Sequence, residues 1–112
     1  LAPEKLNGLS LPLQEAFASG MLVMTTDRFP ANSWLPNSPL IPVRNYQKAR
    51  IGSQYHEFTE CVVSPEDVAA TIDRWYGLNI REWSMLGRVW ADQNSWEVLG
   101  PRWRSALEGL CQ

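Results

Sequence analysis

At 112 residues the chain is one domain at most, with room for a modest core. Hydrophobic residues make up 45% and charged residues 20%, ordinary globular usage that excludes the disordered and fibrous classes. A formal net charge of -2 and an isoelectric point near 5.3 leave no basic footprint for nucleic acid or for an anionic membrane surface.

The two cysteines, Cys61 in a strand-like run and Cys111 at the tail, have no metal-ligand spacing and are too few for a disulfide scaffold. That usage fits a reducing, cytoplasmic setting. No apolar run approaches the ~20 residues needed to span a bilayer. The first residues lack the charged head and apolar middle of a signal peptide. The chain opens on Leu1 rather than methionine, which suggests processing or excision from a longer polypeptide.

In chain order, a turn at Asn7-Gly8 precedes a helix that Ser10 can cap and whose first turn tolerates Pro12. The helix runs through Leu13, Ala16 and Phe17 and stops at Gly20. Met21–Thr25 is apolar and partly β-branched, hence a buried strand. Thr26–Pro39, with its prolines and asparagines, reads as a loop. Leu40–Val43 is a second strand, with Pro42 confined to its edge or end. Arg44–Glu57 is polar and reads as a variable excursion, and Phe58–Val63 as a third strand.

Ser64-Pro65-Glu66-Asp67 then starts a helix with a cap, a first-turn proline and two acids. Its apolar face is Val68, Ile72, Trp75 and Tyr76, and Gly77 ends it. A second start at Asn79 and Glu82 leads into Trp83, Leu86, Val89 and Trp90. A third at Asn94 and Glu97 carries Trp96, Leu99, Trp103, Leu107 and Leu110 past a kink at Pro101. Short apolar strands alternating with helices predict an α/β fold with a short parallel sheet, flanking helices and a helical C-terminus. The sheet is meagre, like half of a doubly wound domain.

Several residues invite chemistry. Glu15 is a charge in an otherwise apolar helical run, so it is either solvated or functional. The turn Gly8-Leu9-Ser10-Leu11-Pro12, running into a helix start, suits a diphosphate, although many helices open this way. Thr25-Thr26-Asp27, at a strand's carboxyl end, either lines a cleft or forms an ordinary turn. His56-Glu57 is followed by Glu60 rather than a second histidine, so zinc-protease spacing fails and His56 reads as a surface residue. The tryptophans, spaced as Trp83 with Trp90 and Trp96 with Trp103, read as core or interface rather than as a sugar-stacking platform.

Taken whole, GLSLPLQEAFASGMLVMTTD resembles the donor motif of family 4 glycosyltransferases of the GT-B fold. There a pattern close to E-G-x-G-L-P-x-x-E-A-x-A-x-G leads into an apolar strand ending in threonine. Gly8, Leu11, Pro12, Ala16, Ala18 and Gly20 fall in register, and Glu15 takes the place of the second glutamate. The later LIPV, VVSPEDVAATIDRWY and SWEVLGPRW are similar to the tail of such enzymes, more loosely.

The resemblance implies a carboxy-terminal, partial Rossmann-like portion of a nucleotide-sugar-binding domain. The implied reaction is retaining transfer of a hexose from a nucleotide-sugar to an acceptor hydroxyl, with no metal or other cofactor. Glu15 inherits the contact to the ribose hydroxyls, a bidentate task suited to a carboxylate. The turn residues Gly8, Leu9, Ser10 and Leu11 would face the donor sugar and its phosphates, the amides of Leu9 to Leu11 among them. The helix dipole would help stabilise the departing diphosphate. The family's first glutamate falls on Asn7, which keeps hydrogen bonding but has no charge to oppose an oxocarbenium ion. No residue is assigned a catalytic role.

Such enzymes also need an acceptor domain and an upstream half-domain that these 112 residues lack, so the isolated chain should not turn over. The expected partners are a nucleotide-sugar and the missing amino-terminal domain or a completing chain. The longer protein would be cytoplasmic, with the inner face of a membrane as one location. The alternative is a non-catalytic remnant that pairs or oligomerises through exposed aromatic helices.

Overall fold

A computed structural model describes residues 1–4, 8–36, 39–51 and 56–110. Asn7 and Cys111 lie outside the described residues, as does the side chain of His56. The first regular element is helix α1, Leu11–Ala18, in which Leu13 and Phe17 turn inward at i, i+4 spacing. Gly20 ends it with φ of 79°, a left-handed conformation that glycine adopts without Cβ strain.

The parallel sheet is smaller than the sequence predicts. Of the expected strand Met21–Thr25, only Thr25 joins a ladder, together with Thr26, to give β1, Thr25–Thr26. Val23 is nonetheless buried. Strand β2, Leu40–Ile41, pairs parallel to β1, with Thr25 opposite Leu40 and Thr26 opposite Ile41. Pro42, which has no N–H to donate, follows the last paired residue. On the other side of β1, Ala2 forms a parallel bridge to Thr25, and its amide donates to the Met24 carbonyl at 2.8 Å. The chain therefore runs strand segment, helix α1, parallel strand β1. Between β1 and β2, within the expected loop, stands the one-turn helix α2, Ala31–Trp34.

The excursion expected over Arg44–Glu57 is in fact β-structure, and it overturns the idea of a third parallel strand. Strand β3, Asn45–Ile51, and strand β4, His56–Val62, form an antiparallel hairpin in its own sheet, in register from Asn45 opposite Val62 to Ile51 opposite His56. β3 reads as polar because it lacks an apolar side: Asn45, Tyr46, Gln47, Lys48 and Arg50 are all exposed. Cross-strand polar pairs hold it instead, including Lys48 to Glu57 at 3.2 Å and Arg50 to Glu57 at 3.1 Å. The buried Cys61 anchors β4, its thiol donating to the Glu4 carbonyl at 3.1 Å.

Helix α3, Pro65–Trp75, begins as its sequence dictates, with the Ser64 hydroxyl accepting from the Asp67 amide at 3.1 Å. Gly77 follows it with φ of 74°. Helix α4, Arg81–Gln93, starts where Asn79 Oδ1 accepts from the Arg81 amide at 3.0 Å. Helix α5, Trp96–Leu110, carries Pro101 inside it and has no buried residue.

The core lies between α1, α2 and α4. Leu13, Phe17, Val23, Ala31 and Leu35 are buried, with Leu86 and Trp90 of α4 packed against them. α4 reaches α1 closely through Gly87, and the Ser84 hydroxyl donates to the Gly20 carbonyl at 2.7 Å. The rest of the chain spreads outward into a slab of 52 × 47 × 17 Å with a radius of gyration of 17.4 Å. A compact chain of this length would have a radius near 13 Å, roughly 2.2·N^0.38. Its accessible surface of 8268 Å² likewise exceeds the ~6,200 Å² expected of a closed monomer of this mass.

Candidate functional site

The segment that carries the donor-motif resemblance lies where a parallel sheet gathers its loops. Glu4, just past the Ala2 bridge, takes the Ser10 hydroxyl at 3.0 Å, so the N-terminus of α1 lies near the carboxyl end of that segment. Ser10 does not cap the helix. Its φ of 49° is left-handed, its side chain makes no cap bond, and its hydroxyl instead donates to Glu4 Oε1 at 3.0 Å. The Ser10 carbonyl takes the first helical amides, Leu13 at 3.0 Å and Gln14 at 3.2 Å. With Pro12 lacking an N–H, the helix closes its first turn without a side-chain cap. Ser10 is buried while Gly8, Leu9 and Leu11 are exposed, so the residues expected to face a ligand divide into one inward and three outward.

Thr25 and Thr26 are fully buried and use their hydroxyls internally. Thr25 donates to the Ala2 carbonyl at 2.9 Å and Thr26 to the Glu4 carbonyl at 2.8 Å. Both stitch the strand to the segment before α1. Asp27 is exposed just beyond and accepts from Asn32 Nδ2 at 2.9 Å.

Glu15 is exposed on α1, one turn past the loop. It borders an open groove of about 340 Å³ between α1 and the α4–α5 junction, with Gln14, Trp90, Asn94 and Leu99 also on its walls. Leu11 lines the same groove, which joins it to the α1 N-terminus. Trp90 is fixed from behind by Phe17 and Trp34, at ring-centroid separations of 5.8 and 5.2 Å. Gln14 Nε2 donates to the Leu9 carbonyl at 2.9 Å and Asn94 Nδ2 to the Trp90 carbonyl at 2.8 Å.

Larger hollows of about 550 and 650 Å³ lie along α4, sharing Val89, and the second reaches Val98 and Arg102 of α5. Both are open troughs, the first with Asn79, Arg81 and Glu82 on its walls and the second with Asp92, Gln93, Asn94 and Arg102. The groove beside Glu15 is the candidate site because Leu11 and Glu15, from the segment that carries the donor-motif resemblance, stand on its walls.

Sequence reasoning missed Gln14, Trp90 and Asn94 as neighbours of Glu15. The i, i+3, i+4, i+7 face of Leu11, Gln14, Glu15 and Ala18 was readable from helical period, whereas its pairing with α4 is a tertiary fact. The tryptophans divide between roles. Trp75 and Trp83 meet edge to face at 4.5 Å, Trp34 and Trp90 join the core, and Trp96 and Trp103 are exposed.

A perturbed titration lies away from the groove, at Asp67. The Arg44 guanidinium, hydrogen-bonded to Asp67, holds that carboxyl below the usual aspartate range, and the Ser64 hydroxyl adds to the effect. The same bond raises Arg44. Glu97 is lowered by its own backbone amide and then by Ser95 at the start of α5.

Among the described residues, no group of three or more His, Cys, Asp or Glu side chains could hold a metal ion. Among the same residues, no helix is long and apolar enough to cross a membrane. No protein family, no curated protein and no solved structure matches the chain.

Proposed function

We propose that this chain is part of the donor-binding half of a retaining GT-B glycosyltransferase, a partial Rossmann-like unit that binds a nucleotide-sugar. The observation that carries this reading is the position of Glu15. It stands on the helix that follows a loop at the carboxyl edge of a parallel strand segment, beside an open groove with an apolar floor. The motif resemblance supplies the substrate class, and the local strand–helix–strand order is compatible with it.

In this reading Glu15 accepts hydrogen bonds from two ribose hydroxyls. The turn at Gly8 to Leu11 and the positive end of α1 stabilise the diphosphate as it leaves. Among the described residues, nothing lies within 4 Å of where a Cβ on Gly8 would stand. Asn7, where the family has glutamate, would bond to donor-sugar hydroxyls without supplying charge. The uncovered α4–α5 layer fits a chain that is completed by a further domain. In a longer polypeptide containing this segment, Glu15→Ala is expected to weaken nucleotide-sugar binding by about 1–3 kcal/mol, the scale of lost charge-assisted bonds. Unchanged affinity removes Glu15 from the site.

A second reading, a non-catalytic interaction module, draws on α5, whose Trp96 and Trp103 are 76% and 58% exposed. It requires a complex or self-association. A clean monomer at high concentration by light scattering counts against it.

A further inference from the structure

We infer that α4 is the seam of a homodimer, two copies packing antiparallel through the side of the helix that the core does not use. α4 is apolar on two sides. Leu86 and Trp90 pack against the core and Gly87 is buried against α1, whereas Met85 and Val89, one turn apart, are 62% and 51% exposed. Met85 and Val89 both line the first trough, and Val89 continues into the second beside Val98. A helix with a second apolar stripe is built for a second neighbour. The chain has surface to give. Its excess over a closed monomer, about 2,000 Å², exceeds the ~800 Å² that each partner yields to a standard interface.

The charges beside the stripe point to a second copy as its cover. At about 100° per residue, Arg81 and Asp92 flank the stripe on one side, and Glu82 and Gln93 on the other. A twofold axis midway between Met85 and Val89 would have Arg81 about 9 Å before it and Asp92 about 7.5 Å after it, at roughly 1.5 Å per residue. In an antiparallel pair, Arg81 of one copy therefore meets Asp92 of the other, and Glu82 meets Gln93, each contact occurring twice. A parallel pair would instead align the two helix dipoles. All four flanking side chains are exposed, and no salt bridge among the described residues engages Arg81 or Glu82. Asp92 already lies 3.2 Å from Arg88 of its own helix, so in the dimer it stands between two guanidinium groups. Such rim pairs set register and partner, while the apolar stripe supplies the affinity. The seam shares neither Trp90 nor Ala91 with the groove beside Glu15 and does not use Trp96 or Trp103 of α5, so it goes beyond both readings of function.

The test is sedimentation equilibrium of the full chain, with charge reversals studied separately and mixed. The parent is expected to form a dimer that dissociates on dilution. Arg81→Glu and Asp92→Arg each turn both ion pairs into repulsions and should weaken the dimer about tenfold or more. An equimolar mixture of the two variants rebuilds both pairs in the mixed dimer, so association should return to near the parent level. Met85→Glu, exposed and in the middle of the stripe, should abolish the dimer with helix content by circular dichroism unchanged. It reads the seam even where a reversal disturbs Arg88. A parent chain that stays monomeric at the highest soluble concentration overturns the seam. Dimers as tight as the parent in both reversals, or in Met85→Glu, place association elsewhere, α5 included, and overturn it as well. Folded single variants that dissociate but do not recover on mixing overturn the antiparallel pairing.

Discussion

The carbonyl oxygen of Phe17 lies 2.1 Å from where a Cβ on Gly87 would stand, closer than any real contact of that kind. Gly87 is therefore what lets α4 lie against the end of α1. Ala at position 87 must push a helix backbone away, and backbone gives less readily than a side chain.

Gly87→Ala is expected to cost about 1–3 kcal/mol, the usual scale of overpacking. Gly109→Ala on α5, where among the described residues nothing lies within 4 Å of the added carbon, should instead stabilise by roughly 0.5–1 kcal/mol from helix propensity. Urea midpoints of the two variants should move in opposite directions. A shared direction would show that the α1–α4 contact is not as close as described.

Trp34 buries its indole Nε1 without a hydrogen-bond partner among the described residues, while its ring packs on Phe17 at 6.2 Å and on Trp90 at 5.2 Å. Trp34→Phe removes the unsatisfied donor and keeps an aromatic ring. It should change stability by less than about 1 kcal/mol, since loss of the orphaned N–H offsets the smaller ring. Phe17→Ala, at 1% exposure, should cost about 3–5 kcal/mol. Thermal denaturation of the pair gives the contrast, and a large loss in Trp34→Phe would mean that the indole nitrogen is engaged.

Asp67 titrates below the ordinary 3.8 when folded because Arg44 bonds its charged form. Its contribution to stability is therefore complete above the unfolded-state value and is lost as pH falls through the lower, folded one. Arg44→Gln should reduce stability near neutral pH and flatten the acid side of the stability profile. Urea midpoints between pH 6 and the acid limit would show this, and parallel profiles would count against the pair.

Trp103 and Leu107 are each 58% exposed on α5. Replacing both with serine should leave the urea midpoint within about 0.5 kcal/mol of the parent, since neither fills the core. Self-association at high concentration should fall. A destabilised variant would place α5 inside the cooperative unit.

The longer helices were the legible part of this sequence because their starts and stops are local, whereas the one-turn α2 was hidden in a segment that read as a loop. The Ser64 cap, Gly20 and Gly77 are found in their expected roles, since a cap or a left-handed stop is decided within a few residues. The β-structure was harder to read. β3 shows no apolar alternation, with Asn45 to Lys48 and Arg50 exposed, β1 is short because Val23 reaches the core without joining a ladder, and β2 ends before Pro42. At the candidate site, the helical face of Glu15 could be read from spacing. Asn94 could not, since its place beside Glu15 depends on Gly87 setting the approach of α4. Ser10 misled for a reason of the same kind. Its hydroxyl found Glu4, six residues back, before it could serve the helix.

The Glu4 carbonyl, which takes both the Thr26 hydroxyl and the Cys61 thiol, bears on the order of assembly. The first bond closes a span of 22 residues and the second a span of 57. Closing the longer loop costs roughly 0.8 kcal/mol more entropy if it must form unaided. The strand–helix–strand unit around α1 should therefore condense first and present the Glu4 oxygen already oriented. The hairpin would then be captured as a late arrival rather than serve as a nucleus.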